Sequence, residues 1–233
     1  MTIAIGINFD AYVLLAADTR TTRYNWDGSV REYVDDSIKI QKTTVGLITG
    51  AGSKELLDLI KGSLEKEKIT HTNQILNIIK KERLHYRRLF WRTAEEDIQM
   101  TGWIFSYITI DKGNPKLRLG IIHPTFGDVL GLYQENHPAT ICPHEATEEV
   151  VEEIGDFLKK KIKPFKEFTT LSDSIQYHWR LIARLIQKIQ PVFPSISSHC
   201  QIGVHTLEGL KGISSILKDT DPSASIRLAS DQP

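Results

Sequence analysis

Residues 1–18 read MTIAIGINFDAYVLLAAD, and the fold is predicted outward from this stretch. Ile3, Ile5 and Ile7 alternate with small or polar residues, which is the period-two pattern of a β-strand. Turn-forming residues follow at 8–11, and residues 12–17 are then continuously apolar, as in a strand covered on both faces. The stretch therefore predicts a β-hairpin with a fully buried second strand.

The rest of the chain predicts strands and helices in blocks rather than in alternation. A second hairpin is expected over residues 37–49, followed by two helices with apolar faces at 56–64 and 75–90. Further elements are predicted in this order: strands over 103–110, 116–122 and 128–133, helices over 145–161 and 172–190, a strand over 201–207 and its return near 212–217. Because strand–helix–strand alternation is missing, we expect an α+β fold with two packed sheets and helices outside, a four-layer αββα sandwich.

Length and composition indicate one soluble globular domain. The chain has 233 residues, of which 40% are hydrophobic and 25% charged. We expect a single domain over residues 1–218 and a polar tail over 219–233. The 29 basic and 29 acidic residues cancel, which argues against a nucleic-acid partner. With no apolar run long enough for a membrane, no secretory signal and only two cysteines, a cytoplasmic protein is expected.

Two other groups of residues are interpreted as structural. Cysteine and histidine are neighbours at 142–144 and 199–200, but neither pair belongs to a complete zinc-ligand set, so no metal is expected. The basic and aromatic run at 80–92 has the period of an amphipathic helix, which favours a solvated face or a subunit contact over a nucleic-acid site.

Thr2 is the first candidate for chemistry because it directly follows Met1. Removal of Met1, which is usual before a small residue, would leave Thr2 with both a hydroxyl and a free α-amino group. An α-amine has an ordinary pKa of about 7.7–8.0, so it can take the proton of the hydroxyl and activate the oxygen as a nucleophile. The sequence thus predicts an N-terminal nucleophile that needs no histidine relay and no cofactor.

Spacing places further groups beside Thr2. A hairpin centred near Asp10 would set Thr2 opposite Asp18, about 5 Å away between Cβ atoms. Asp18 ends an apolar strand, where an unpaired carboxylate is costly, and Lys39 is the candidate cation. A lysine held there would lower the pKa of the threonine hydroxyl. Gly50 follows another strand and could bring a backbone N–H to a developing oxyanion.

Four stretches carry a resemblance to a known family: MTIAIGI at 1–7, VLLAADTRTT at 13–22, SIKI at 37–40 and LITGAG at 47–52. They resemble the proteasome β-subunit family, including simple bacterial ATP-dependent peptidase subunits that also begin Met-Thr. The resemblance is weaker through residues 103–129 and rests on pattern alone beyond them. It implies a sandwich of the N-terminal-nucleophile hydrolase type that assembles into homo-oligomeric rings.

The resemblance also implies roles for individual residues. Thr2 would be the nucleophile of a threonine-type peptidase or amidase, Asp18 and Lys39 its charge pair, and Gly50 the oxyanion donor. Four uncharged residues would form the side-chain pocket, which favours small or apolar substrate side chains: Thr21, Ser37, Ile48 and Gly52. The implied partners are further copies of the chain and a peptide or protein substrate, and an ATPase unfoldase is left open.

Two departures from the family pattern leave alternatives open. Active members place a Gly-Ser-Gly before the third helix, whereas residues 140–145 here read TICPHE. Before the last strand they carry an Asp and a Ser. Here Ser195 falls at the position of the Asp, and Ser198 is the candidate for the Ser. The alternatives are a non-catalytic ring or scaffold subunit and an N-terminal-nucleophile amidase that acts on small molecules.

Overall fold

The computed structural model describes residues 2–25, 29–35, 37–127 and 129–214. The strands in these ranges are β1 (Ala4–Asn8), β2 (Tyr12–Asp18), β3 (Thr21–Tyr24), β4 (Val30–Val34), β5 (Gln41–Lys42), β6 (Leu47–Ala51), β7 (Gly102–Asp111), β8 (Asn114–Ile122), β9 (Gly131–Tyr133), β10 (Pro138–Ile141), β11 (Cys200–Thr206) and β12 (Gly209–Ser214). The helices are α1 (Lys54–Lys66), α2 (Thr72–Leu89), α3 (Ala94–Gln99), α4 (Glu148–Lys161) and α5 (Leu171–Ile189). None of these helices is long and apolar enough to span a membrane.

Two five-stranded antiparallel sheets are packed face to face. The first has the order β10-β1-β2-β11-β12 and the second the order β5-β6-β7-β8-β9, while β3 and β4 form a separate hairpin. Helices α4 and α5 cover the outer face of the first sheet, and α1, α2 and α3 cover that of the second. The predicted α+β, four-layer αββα sandwich is confirmed.

Strand β1 shows how the sequence pattern specifies the layers. Ile3, Ile5 and Ile7 pack in the apolar layer beneath α4 and α5, whereas Ala4 belongs to the layer between the two sheets. Both faces of the strand are buried, so the alternation separates large side chains under the helices from small ones between the sheets. The period-two pattern therefore distinguishes two buried faces of the strand rather than a buried face and an exposed face.

Gly6 marks a close approach between the sheets. A Cβ atom at this position would lie 2.7 Å from Ile104 Cγ2 and 2.9 Å from Leu119 Cδ1, both in the second sheet. Carbon atoms in van der Waals contact are about 3.5–4.0 Å apart. A glycine is therefore required here by the distance between the layers.

The register of the first hairpin differs by one residue from the prediction. Ala4 pairs with Ala17, so Asp18 lies opposite Ile3, and the predicted pairing of Thr2 with Asp18 is wrong. The cause is the turn, which places two residues between Phe9 and Tyr12 and is closed by the Phe9 N–H donating to the Tyr12 carbonyl at 2.8 Å. A turn centred on one residue would have been needed for the predicted register.

Several element boundaries also differ from the prediction. The strand expected from residue 37 begins only at Gln41, and the helix expected from residue 145 begins at Glu148 because the Thr147 side chain caps it. The sequence analysis missed four elements: β3, β4, α3 and β10. Each of them is short, which makes its pattern weak. The predicted tail over 219–233 lies outside the described residues, so the division at residue 218 stays a prediction.

We expect Gly6→Val to lower the free energy of unfolding by about 1–3 kcal/mol, because the added carbons overfill the layer between the sheets. The measurement is urea denaturation followed by tryptophan fluorescence. Gly155→Ala is the matched control, since Gly155 lies in α4 with open space around its Cβ position. It should be neutral or stabilising by up to about 1 kcal/mol. Equal unfolding curves for Gly6→Val and the natural chain would contradict the close approach of the sheets.

Candidate active site

A cavity of about 860 Å³ opens beside the start of β1. Thr2 forms part of its wall, together with residues of the β3–β4 hairpin and the first turns of α1. The lining residues are Thr2, Arg20, Thr21, Thr22, Arg23, Tyr24, Arg31, Ser37, Ile38, Lys39, Gly52, Ser53, Lys54, Glu55, Leu57, Asp58, Lys61, Asp97 and Met100. Of the predicted site residues, Thr2, Lys39, Thr21, Ser37 and Gly52 therefore meet in one cavity.

Lys39 and Thr2 are in direct contact at the wall of this cavity. Lys39 Nζ donates a hydrogen bond to Thr2 Oγ1 at 2.9 Å and another to Thr21 Oγ1 at 3.3 Å. Thr2 is 2% exposed and Lys39 is 8% exposed. Burial lowers the pKa of the Lys39 amine, although the charge of Asp18 acts in the opposite direction. A buried ammonium in contact with a hydroxyl favours the ionised form of that hydroxyl.

Gln201 holds the backbone that carries Lys39, and the sequence analysis missed it. Its side-chain oxygen accepts the N–H of Lys39 at 2.8 Å and that of Ile40 at 2.7 Å. Gln201 lies in β11, so this strand of the first sheet fixes a segment that comes some 160 residues earlier in the chain. A glutamine near the start of a buried strand was the available signal, since a buried amide needs partners.

Asp18 is held by backbone groups rather than by Lys39. Its carboxylate accepts the N–H groups of Ile3 and Arg20, each at 2.9 Å, and that of Ser197 at 3.0 Å. The Lys39 nitrogen donates to the two threonine hydroxyls rather than to this carboxylate, and the assignment of Lys39 as the charge partner of Asp18 stays a prediction. Burial raises the pKa of Asp18 to about 6, against the opposing effects of Lys39 and the three N–H groups. The two charges interact through space.

Two further predicted residues lie outside the cavity wall. Ile48 and Gly50 are buried in β6 and do not line the cavity. A Cβ atom at Gly50 would lie 2.8 Å from the Gly102 carbonyl oxygen, so close packing against β7 is sufficient reason for a glycine there. The oxyanion role of Gly50 and the pocket role of Ile48 stay predictions.

The loop before β11 uses serines other than Ser198. The Ser197 N–H donates to Asp18, and the Ser195 hydroxyl donates to the carboxylate of Glu145. The accessory role suggested for Ser198 stays a prediction.

The cavity carries charge that the predicted pocket did not include. Lys54, Asp58 and Lys61 lie on one face of α1, and Lys54 pairs with Asp58. Burial lowers the pKa of Lys61 to about 8, and repulsion from Lys39 adds to the effect. The i, i+4, i+7 spacing of these residues was the available signal, because it places all three on one side of a helix. The expectation of an uncharged pocket is therefore incomplete.

No family model matches the chain, and neither does any curated protein. Solved structures do match it. Anbu from Hyphomicrobium sp. strain MC1 has a TM-score of 0.63 and 14% identity over 93% of this chain and 88% of that chain. Its Gly-1 mutant has a TM-score of 0.62 and 13% identity over 94% and 88%. Anbu (ancestral beta-subunit) from Yersinia bercovieri has a TM-score of 0.61 and 12% identity over 93% and 88%.

These comparisons correct the predicted membership of the proteasome β-subunit-like family. The prediction is wrong because no family model for it matches the sequence, and the identity to the Anbu structures is only 12–14%. Similarity at that level, over nearly the whole chain, shows the fold alone. The fold is that of the N-terminal-nucleophile type of sandwich, as predicted.

The raised pKa of Asp18 predicts a dependence of stability on pH. Its folded value of about 6 exceeds the ordinary 3.8, so between these two values the folded chain keeps a proton that the unfolded chain releases. Stability contributed by this residue should fall as the pH rises from about 4 to 6. Asp18→Asn should lack this dependence on pH. The difference in free energy of unfolding between the natural chain and the variant should therefore fall by up to about 3 kcal/mol over this pH range. Parallel pH profiles from urea denaturation would contradict the shift.

Proposed function

We propose that this chain is a threonine-type amide hydrolase whose nucleophile is Thr2 after removal of Met1. The observation that carries the proposal is the 2.9 Å hydrogen bond from Lys39 Nζ to Thr2 Oγ1 at the wall of the cavity. Burying an ammonium costs free energy, and contact with a hydroxyl does not offset the cost as a carboxylate partner would. Such an arrangement is typical of sites where the hydroxyl must ionise.

The proposed reaction proceeds in two acyl-transfer steps. Thr2 Oγ1 attacks the carbonyl carbon of an amide while its proton passes to the α-amine of the same residue. Lys39 stabilises the negative charge beside Oγ1, and Gly50 is the predicted N–H donor to the oxyanion. The carbon–nitrogen bond then breaks, the leaving amine takes the proton, and an ester remains on Thr2. Water, deprotonated by the α-amine, hydrolyses the ester and releases the acid.

The substrate we propose is a peptide or protein, as the resemblance implied. Lys61 at the cavity wall favours a substrate with a carboxylate near the cleaved bond. The alternative substrate, a small amide, fits the same chemistry. The preference for a carboxylate is tested by comparing hydrolysis of peptides that carry an acidic or a basic residue at the cleaved bond.

The test of the proposal is covalent labelling. We expect intact mass to show a chain without Met1 that gains one molecule of an epoxyketone inhibitor. Thr2→Ala should lose labelling and hydrolysis by at least about 10³-fold because the nucleophile is absent, and Thr2→Ser should retain part of both. Thr22→Ala is the matched control, since Thr22 lines the same cavity without a proposed role and should label normally.

Three results would contradict the proposal. Retention of Met1 in the folded chain blocks the amine and removes the base. Equal labelling of the natural chain and Thr2→Ala places the reactive group elsewhere. A chain that begins at Thr2, folds and yet reacts with neither inhibitor nor peptide would favour the non-catalytic alternative.

We also propose that the chain assembles with further copies of itself into a ring. Leu89, Phe90 and Trp91 at the end of α2 are exposed together, and Trp91 is 73% exposed. Adjacent exposed apolar side chains at a helix end are typical of a surface that a partner covers. The likeness of fold to a protein named as an ancestral beta-subunit supports a second copy as that partner. The ATPase unfoldase stays a prediction.

Light scattering at micromolar concentration should give a mass several times that of one chain. Trp91→Glu should shift the population towards single chains, because a charge in the buried contact is not compensated. Ile110→Glu is the control, since Ile110 is 67% exposed and lies at the β7–β8 turn rather than in α2. A single-chain mass for the natural protein would contradict the assembly.

A further inference from the structure

Four strands of the first sheet begin or end side by side at the end of the sheet where Thr2 lies. Ala4 pairs with Ile141 in β10 and with Ala17 in β2, and Asp18 pairs with Cys200 in β11. The end of β10, the start of β1, the end of β2 and the start of β11 therefore lie side by side in this order. A chain that begins at Thr2 would present its α-amine at this end of the sheet.

One side-chain hydrogen bond joins the two outer members of this row. The Ser195 hydroxyl, in the loop before β11, donates to Oε1 of Glu145, in the segment after β10. Strands β1 and β2 lie between β10 and β11, so the bond joins segments that follow or precede strands on either side of them. The loop of Ser195 does lie over the end of β2, because the Ser197 N–H reaches the Asp18 carboxylate at 3.0 Å.

We propose that Glu145, oriented by Ser195, is a positioning residue that holds the α-amine of Thr2 once Met1 has been removed. The inference rests on the proposed function, in which that amine is the base. A carboxylate accepts about four hydrogen bonds. Glu145 uses one oxygen for Ser195, and the other contacts its neighbour His144 at 3.4 Å, which leaves acceptor positions for an ammonium.

Glu145 is charged at neutral pH and open to a ligand. Partial burial opposes ionisation, but hydrogen bonds, first among them that from Ser195, keep the pKa of its carboxyl below the ordinary value. Its side chain is 34% exposed. Titratable groups that interact with it include His144 and Tyr24, whereas Lys39 contacts the Thr2 hydroxyl and Asp18 contacts the N–H of the next residue, Ile3.

A carboxylate beside the α-ammonium favours its charged form, so it raises the pKa of the amine and makes it a stronger base. Because Glu145 is partly exposed, we expect it to raise the pKa of the amine by about half a unit. At a fixed pH below the pKa, this lowers the fraction of neutral amine roughly threefold. Salt should reduce the shift, because it screens exposed charges.

The experiment measures the amine itself, so it does not depend on hydrolysis. The chain starting at Thr2, released from an N-terminal fusion if Met1 is retained, is treated with acetic anhydride at a series of pH values. Mass spectrometry of the N-terminal peptide gives the acylation rate. Below the pKa, Glu145→Gln should acylate about three times faster than the natural chain, and Glu145→Asp should lie between them. Glu148→Gln is the matched control, an exposed glutamate in the first turn of α4 that should change nothing.

The variant is expected to fold, since a glutamine can still accept the hydrogen bond of Ser195, and its urea midpoint checks this. Equal amine pKa values in the natural chain and Glu145→Gln would overturn this inference, whatever the hydrolytic activity. A shifted amine pKa in a chain that no covalent inhibitor labels at Thr2 would overturn the proposed function instead and leave this inference standing.

Discussion

The buried carboxylate of Asp18 is the constraint on which the candidate site depends. It is fully buried at the end of β2, so each of its oxygens needs partners inside the protein. The partners are backbone N–H groups of Ile3 at the start of β1, Arg20 after β2 and Ser197 before β11. One side chain thus fixes three chain segments to one another, and Thr2 is held beside them because it precedes Ile3.

The charge of Asp18 then explains why Lys39 can remain in the interior. Burial disfavours the ammonium, and attraction from Asp18 is the largest effect that opposes this. Because backbone groups already satisfy the carboxylate, the Lys39 nitrogen is free to bond to Thr2 and Thr21. A direct ion pair would have satisfied both charges and removed the lysine from the hydroxyl. Separation of the pair is therefore what places positive charge beside the Thr2 hydroxyl.

The parts predicted from sequence are those that local patterns specify. Alternation at Ile3, Ile5 and Ile7 identified a strand, and the apolar run just before Asp18 identified its partner. The register depended on the number of residues in a turn, which apolar periodicity does not determine. The partners of Asp18 and the support of Lys39 by Gln201 join residues far apart in the chain, so they follow only from the assembled sheet.

The end of the first sheet near Thr2 shows why the missing Gly-Ser-Gly and Asp are weak grounds for excluding a function. In the family that the sequence resembles, a serine lies before the third helix and an aspartate lies before the last strand. Here those segments contain a carboxylate, Glu145, and a hydroxyl, Ser195, in the reverse order, and the two are hydrogen bonded to each other. An amine beside them would meet the same two chemical groups in either arrangement. The role proposed for Glu145 therefore does not depend on a Gly-Ser-Gly sequence, because the fold brings a carboxylate and a hydroxyl together from these two segments.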